Sequence, residues 1–95
     1  GIRDYGVLEF SRVLFRSWPL ATSLLDGSLV VSIEQICGAI HTLATRAHVV
    51  AEGAGGASVA AALSGRAGGG KVVAVVSGGN LEASHLAAIL EGRTP

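Results

Sequence analysis

The sequence predicts an α/β domain assembled from parallel-sheet βα units, and three observations carry that expectation. Behind Lys71 runs an unbroken apolar segment, Val72-Val73-Ala74-Val75-Val76, with no polar alternation. Such a run reads as a strand covered on both faces, as in the middle of a parallel sheet. From Ile33 onward, apolar residues recur at three- and four-residue spacing, the mark of an amphipathic helix. Short apolar segments then alternate with helical patterns in the order strand, helix, strand, helix, strand, helix, the rhythm of crossover connections.

Residues 1–17 mix charged and apolar side chains without helical or strand period, and Leu14-Phe15-Arg16-Ser17 matches one reading frame of a common sequencing-adapter end. That segment is expected to be non-native, or else an irregular N-terminal arm, and is left out of the fold reading. Residues 18–95 are taken as the domain. Residues 18–27 read as a loop with a helical turn over 21–25, and Asp26-Gly27 is turn chemistry. Residues 28–31 form a short strand. Ser32 is an N-cap with Gln35 three positions on, a capping box. The helix that follows places Ile33, Ile36, Cys37, Ile40, Leu43, Ala44 and Ala47 on one face. Residues 48–51 are a second short strand and 52–56 a glycine-rich turn. A small-residue helix over 57–63 stops at Gly65. Residues 68–70 are a loop, 71–76 the covered strand, and 81–90 the last helix, capped by Asn80 and ended by Gly92.

Composition narrows the function. Apolar residues make up 49% of the 95 and charged ones 15%, too apolar for a disordered chain. The formal net charge is zero and the basic residues are scattered, so no footprint for nucleic acid is present. Nor is any apolar run long enough to span a bilayer, and the N-terminus lacks a secretory pattern. A lone Cys37 allows neither an internal disulfide nor a cysteine metal cluster. The expected compartment is the reducing cytoplasm.

Two glycine-rich turns are the candidate sites. In Glu52-Gly53-Ala54-Gly55-Gly56-Ala57-Ser58, the spacing Gly53-x-Gly55-x-x-Ser58 is a degraded dinucleotide fingerprint. The acidic residue that fingerprint expects at the end of the next strand is absent, since that strand ends in Ser77. The second turn, Ser77-Gly78-Gly79-Asn80, follows the covered strand at its carboxyl end, where open α/β sheets bind ligands. Ser77 is the first polar side chain after the run, and it either meets a ligand or simply forms the turn and caps the next helix. Cys37 reads as a small core residue, and His41, His48 and His85 as ordinary packed or surface residues. Lys71 stands at the amino end of its strand, the wrong end for chemistry.

Taken together, the two turns resemble something more specific. A Val/Ala-rich segment, Glu52-Gly53-Ala54-Gly55-Gly56, an alanine-rich helix, and Lys71-Val72-Val73-Ala74-Val75-Val76-Ser77-Gly78-Gly79-Asn80 look like the C-terminal part of the threonine dehydratase/serine racemase group. Leu29-Val30-Val31-Ser32-Ile33-Glu34-Gln35-Ile36 resembles that group's short strand leading into a capped helix. The likeness covers residues 24–90, and Ser77-Gly78-Gly79-Asn80 is its most specific part. Gly53 departs from the proline many members carry after the glutamate, which loosens the turn. These are pyridoxal-phosphate enzymes of the tryptophan synthase β-like fold (fold type II). The resemblance implies that Ser77 hydrogen-bonds the pyridine nitrogen of pyridoxal 5′-phosphate, with Gly78 beside it. Glu52 then stands either behind the cofactor edge or as a cap on the small-residue helix. A hydroxyl donates to a neutral ring nitrogen but does not hold it protonated as a carboxylate would. The cofactor is thereby a weaker electron sink, which favours β-elimination over transamination.

The lysine that carries the cofactor and the glycine-rich phosphate loop of such enzymes have no counterpart here, nor does the acidic metal-binding loop of some members. No catalytic residue and no metal ligand is therefore assigned. The chain is expected to be an inert C-terminal piece of the large domain of a hydroxy-amino-acid ammonia-lyase acting on threonine or serine, without a regulatory domain. The resemblance also implies a small amino-acid substrate and a possible homodimer. A serine racemase or another β-eliminating lyase shares every residue visible here. A nucleotide-binding module and a non-catalytic α/β packing domain are the alternatives from other classes.

Overall fold

The computed structural model describes residues 18–95; the expectation for residues 1–17 lies outside the described residues. The first helix, α1, spans Trp18–Leu24, starting earlier than the turn expected over 21–25. Pro19 is tolerated in its first turn because the amide it lacks would have no helical partner there. Thr22 Oγ1 and Ser23 Oγ donate back to the Pro19 and Leu20 carbonyls, at 3.0 and 2.7 Å.

The helix α2, Ile33–Thr42, begins as the sequence predicts. Gln35 N donates to Ser32 Oγ at 3.1 Å, and Ser32 N donates to Gln35 Oε1 at 2.8 Å, closing the capping box. Beyond Thr42 the helix widens into a π-helical turn, Leu43–Ala47, which ends at His48 in the left-handed conformation (φ 58°). There Val49 N donates to the Leu43 carbonyl at 3.1 Å. The apolar stripe of α2 is narrower than its spacing suggests. Ile40 is buried and Ile36 and Cys37 are half-buried, whereas Ile33 and Ala47 at the ends are exposed.

Two boundaries correct the sequence reading. The helix α3 spans Gly53–Leu63, so residues 53–56, expected as a loop, are its first turn. Glycine in a helix costs about 1 kcal/mol relative to alanine. Here packing offsets that cost, because Gly55 and Gly56 are buried and bare backbone lets neighbours close on them. A Cβ on Gly56 would stand 2.9 Å from Ile40 Cγ1, so α2 and α3 meet through a missing side chain. The last helix, α4, spans Ala83–Leu90, and its N-cap is Glu82 rather than Asn80. Leu81 N donates to the Gly79 carbonyl at 2.9 Å, closing a tight turn around Asn80 that delays the helix by two residues. At its far end Arg93 N donates to Ala88 O and Gly92 N to Ile89 O, at 2.8 and 3.0 Å, with Gly92 at φ 83°. This is the Schellman arrangement, and Gly92 ends the helix as its sequence position predicts.

α2 packs on both α3 and α4. The core holds Ala39 and Ile40 of α2, Ala51, Ala60 of α3, and Ala88 and Ile89 of α4. Four of these six are alanines, which permit close helix approach but bury little apolar area each.

The expected parallel sheet is the main correction: among the described residues the chain is helical and no strand forms. Residues 28–31, 48–51 and 71–76 lack strand pairing, since a strand exists only through a ladder of hydrogen bonds to a neighbour. Residues 50–52 and 77–79 approach side by side, with Glu52 N donating to the Gly78 carbonyl at 3.2 Å. One bond at the ends of two segments does not make a ladder. The run expected to be covered on both faces stands open, with Val73 90% and Val75 72% exposed. Val30, in the first expected strand, is 81% exposed. No helix among the described residues is long and apolar enough to cross a membrane.

Candidate functional site

The first turns of α3 and the Ser77 turn form one unit. At Gly78 the backbone takes φ 77°, a conformation glycine adopts without steric cost. The Glu52 carboxylate lies against Gly78 where a side chain on that residue would go. Glu52 is the N-cap residue of α3, yet its side chain makes no capping hydrogen bond. Glu52 thus holds the N-cap position of α3 while its carboxylate meets the turn instead of a helix amide.

Three further approaches fix the same turn. A Cβ on Gly55 would meet the Ser77 carbonyl oxygen at 2.5 Å. One on Gly79 would meet the Val50 carbonyl at 2.8 Å. Ser58 Oγ, on the second turn of α3, donates to the Val75 carbonyl at 2.7 Å. Bare glycine backbone and two hydrogen bonds therefore hold residues 75–79 onto α3.

Ser77 itself is exposed, and so is Gly78. The hydroxyl is not sunk in hydrocarbon, and it does not cap α4, whose N-cap is Glu82. The structure thus brings Ser77, Gly78 and Glu52 together. It does not bring any of them to a deep cavity.

A separate open cleft of about 420 Å³ lies between α2 and the segment after α4, lined by Glu34, Cys37, His41, Ile89 and Arg93 among others. Cys37 is expected as a small core residue and His41 as an ordinary packed or surface residue, and neither is expected beside Arg93. The spacing of Glu34, Cys37 and His41 along one helix face is the signal that groups them. Arg93 also pairs with Glu91, next to it on the same turn. No cluster of three His, Cys, Asp or Glu among the described residues is placed to hold a metal ion.

Comparison with known proteins adds the following. The chain is 36% identical over 81 residues to the catabolic L-threonine dehydratase of Staphylococcus aureus strain N315, covering 80% of this chain and 23% of that protein. The same figures hold for the protein of strain Mu50. To the L-threonine ammonia-lyase of Geobacter sulfurreducens it is 35% identical over 77 residues, covering 79% of this chain and 19% of that protein. The chain therefore spans roughly a fifth to a quarter of the length of these curated relatives. No family model matches it, and no solved structure matches significantly.

Proposed function

We propose that this chain is the part of a pyridoxal-phosphate-dependent hydroxy-amino-acid ammonia-lyase that presents Ser77 to the cofactor ring. The observation that carries the reading is the exposed Ser77-Gly78 turn, clamped onto the N-terminal half of α3 in a chain similar to an L-threonine dehydratase and an L-threonine ammonia-lyase.

The residues present fit the cofactor's chemistry. An exposed hydroxyl on a turn held through glycine backbone is a donor free to reach an unprotonated pyridine nitrogen. Gly78, with no side chain, leaves the ring edge unobstructed, while the Glu52 carboxylate fills the space behind it. When bound, the cofactor supplies an electron sink for the substrate's α-carbon. Ser77 donates one hydrogen bond to the ring nitrogen and leaves it unprotonated. That tempers the sink and favours loss of the β-hydroxyl, with a 2-oxo acid and ammonia as products. Glu52 acts through Gly78, not on the substrate. The lysine that attaches the cofactor and the groups that grip its phosphate are supplied by the remainder of the protein, so the chain alone is inert.

The test uses the complete protein. Ser77→Ala is expected to weaken cofactor binding and lower turnover, and Ser77→Asp to shift reaction partition from β-elimination toward transamination. Unchanged cofactor absorbance and turnover in both variants would overturn the assignment.

A further inference from the structure

The geometry points to Ser58 as a positioning residue that sets where the Ser77 hydroxyl stands. The inference rests on the cofactor reading above for its consequence, but its structural half stands on the hydrogen bonds alone.

A serine inside a helix ordinarily returns its hydroxyl to a carbonyl three or four residues back. Ser58 has such an acceptor in the Gly55 carbonyl at 3.2 Å, yet the Val75 carbonyl, 17 residues away, is nearer at 2.7 Å. A hydroxyl carries one proton, so the shorter contact takes the larger share of it. The side chain is thus turned out of its own helix toward the segment that leads into Ser77.

The placement matters because, among the described residues, that segment has no ladder to hold it. Val75 stands two residues before Ser77, and Gly78, one residue after it, accepts from Glu52 N at 3.2 Å. Ser77 is therefore bracketed by two hydrogen bonds from the same helix end. Gly55 supports its carbonyl from beneath. Of these attachments only the Ser58 bond depends on a side-chain polar atom, so a single substitution can remove it without touching the backbone contacts. Freed at Val75, the residues ahead of the turn lose their anchor, and the Ser77 hydroxyl samples positions out of line with any fixed ring nitrogen.

The experiment compares Ser58→Ala, Ser58→Thr, Ser58→Cys and Ser77→Ala in the complete protein, by amide hydrogen exchange without cofactor and by absorbance of bound pyridoxal phosphate. A net hydrogen bond of ordinary strength corresponds to roughly a two- to tenfold change in local opening. Ser58→Ala is expected to speed exchange of the Glu52 amide, which donates to the Gly78 carbonyl of the turn, by about that factor, leaving α2 unchanged. It is also expected to move the cofactor band in the direction seen for Ser77→Ala. Ser58→Thr, which keeps the hydroxyl, restores both, and Ser58→Cys, a poor donor of similar size, does not. Unchanged exchange at the Glu52 amide overturns the proposal, as does an equal rise in every helix, which marks a merely structural role. Local exchange that rises while the band responds to Ser77→Ala alone overturns the coupling to the cofactor. A band that Ser77→Ala also leaves unmoved refutes the cofactor reading, and the exchange rates by themselves then decide whether Ser58 holds the turn.

Discussion

The backbone of Gly55 lies directly against that of Ser77: a Cβ on the glycine would stand 2.5 Å from the serine's carbonyl oxygen. Helix α3 and the turn at residues 77–79 are in contact through main chain, with no side chain between them. This contact explains why a glycine-rich sequence is helical where a loop is expected. It also gives neighbouring glycines opposite sensitivities.

Gly55→Ala forces the Ser77 backbone to shift, and overpacking of this kind costs about 1–3 kcal/mol. Gly53, at the start of the same turn, has nothing within 4 Å of its would-be Cβ. Gly53→Ala is expected to be neutral or to stabilise by up to about 1 kcal/mol through helix propensity. Urea unfolding of the two variants checks the contrast, and equal effects would count against the main-chain contact.

Ser32→Ala removes one half of the capping box at α2 and is expected to cost about 1 kcal/mol. Gln35→Ala removes the reciprocal half. Because the bonds belong to one motif, the double variant should lose less than the sum of the singles. A double-mutant cycle by chemical denaturation reads this directly, and strict additivity would contradict it.

Left-handed residues end three helices: Gly65 at φ 80°, Gly92 at φ 83° and His48 at φ 58°. A side chain in this region costs about 1–2 kcal/mol where glycine has no such penalty. Gly92→Ala is therefore expected to destabilise by about that amount. His48→Gly should stabilise by about 0.5–1 kcal/mol, the relief being partly offset by glycine's greater freedom in the unfolded chain. Melting temperatures moving in opposite directions meet the expectation.

Val73 is 90% exposed on an unpaired extended segment, a ready template for pairing with another chain. In the isolated chain, Val73→Lys should leave stability within about 0.5 kcal/mol and reduce self-association, as read by light scattering. If the complete protein covers residues 71–76 with neighbouring strands, the same change there costs several kcal/mol as an unpaired buried charge. Equal tolerance in both contexts would argue that this run is never buried.

The local signals were legible in the residues themselves: the Ser32–Gln35 capping box and the glycine stops at Gly65 and Gly92. Each depends on contacts within a few residues or on glycine's unique backbone range, so sequence suffices to specify it. Tertiary structure decided the rest. Residues 53–56 became helix because Gly55 and Gly56 accept Ser77 and Ile40 at distances no side chain allows. Asn80 lost the cap to Glu82 because a tight turn from Gly79 to Leu81 intervened. The valine run at 72–76 carries every local preference for a strand, yet strand formation needs a hydrogen-bonding neighbour, and in this chain the Val75 carbonyl takes its hydrogen bond from the hydroxyl of Ser58 on a helix. Propensity is written along the chain, whereas a ladder belongs to two segments at once, and only their arrangement in space supplies the second.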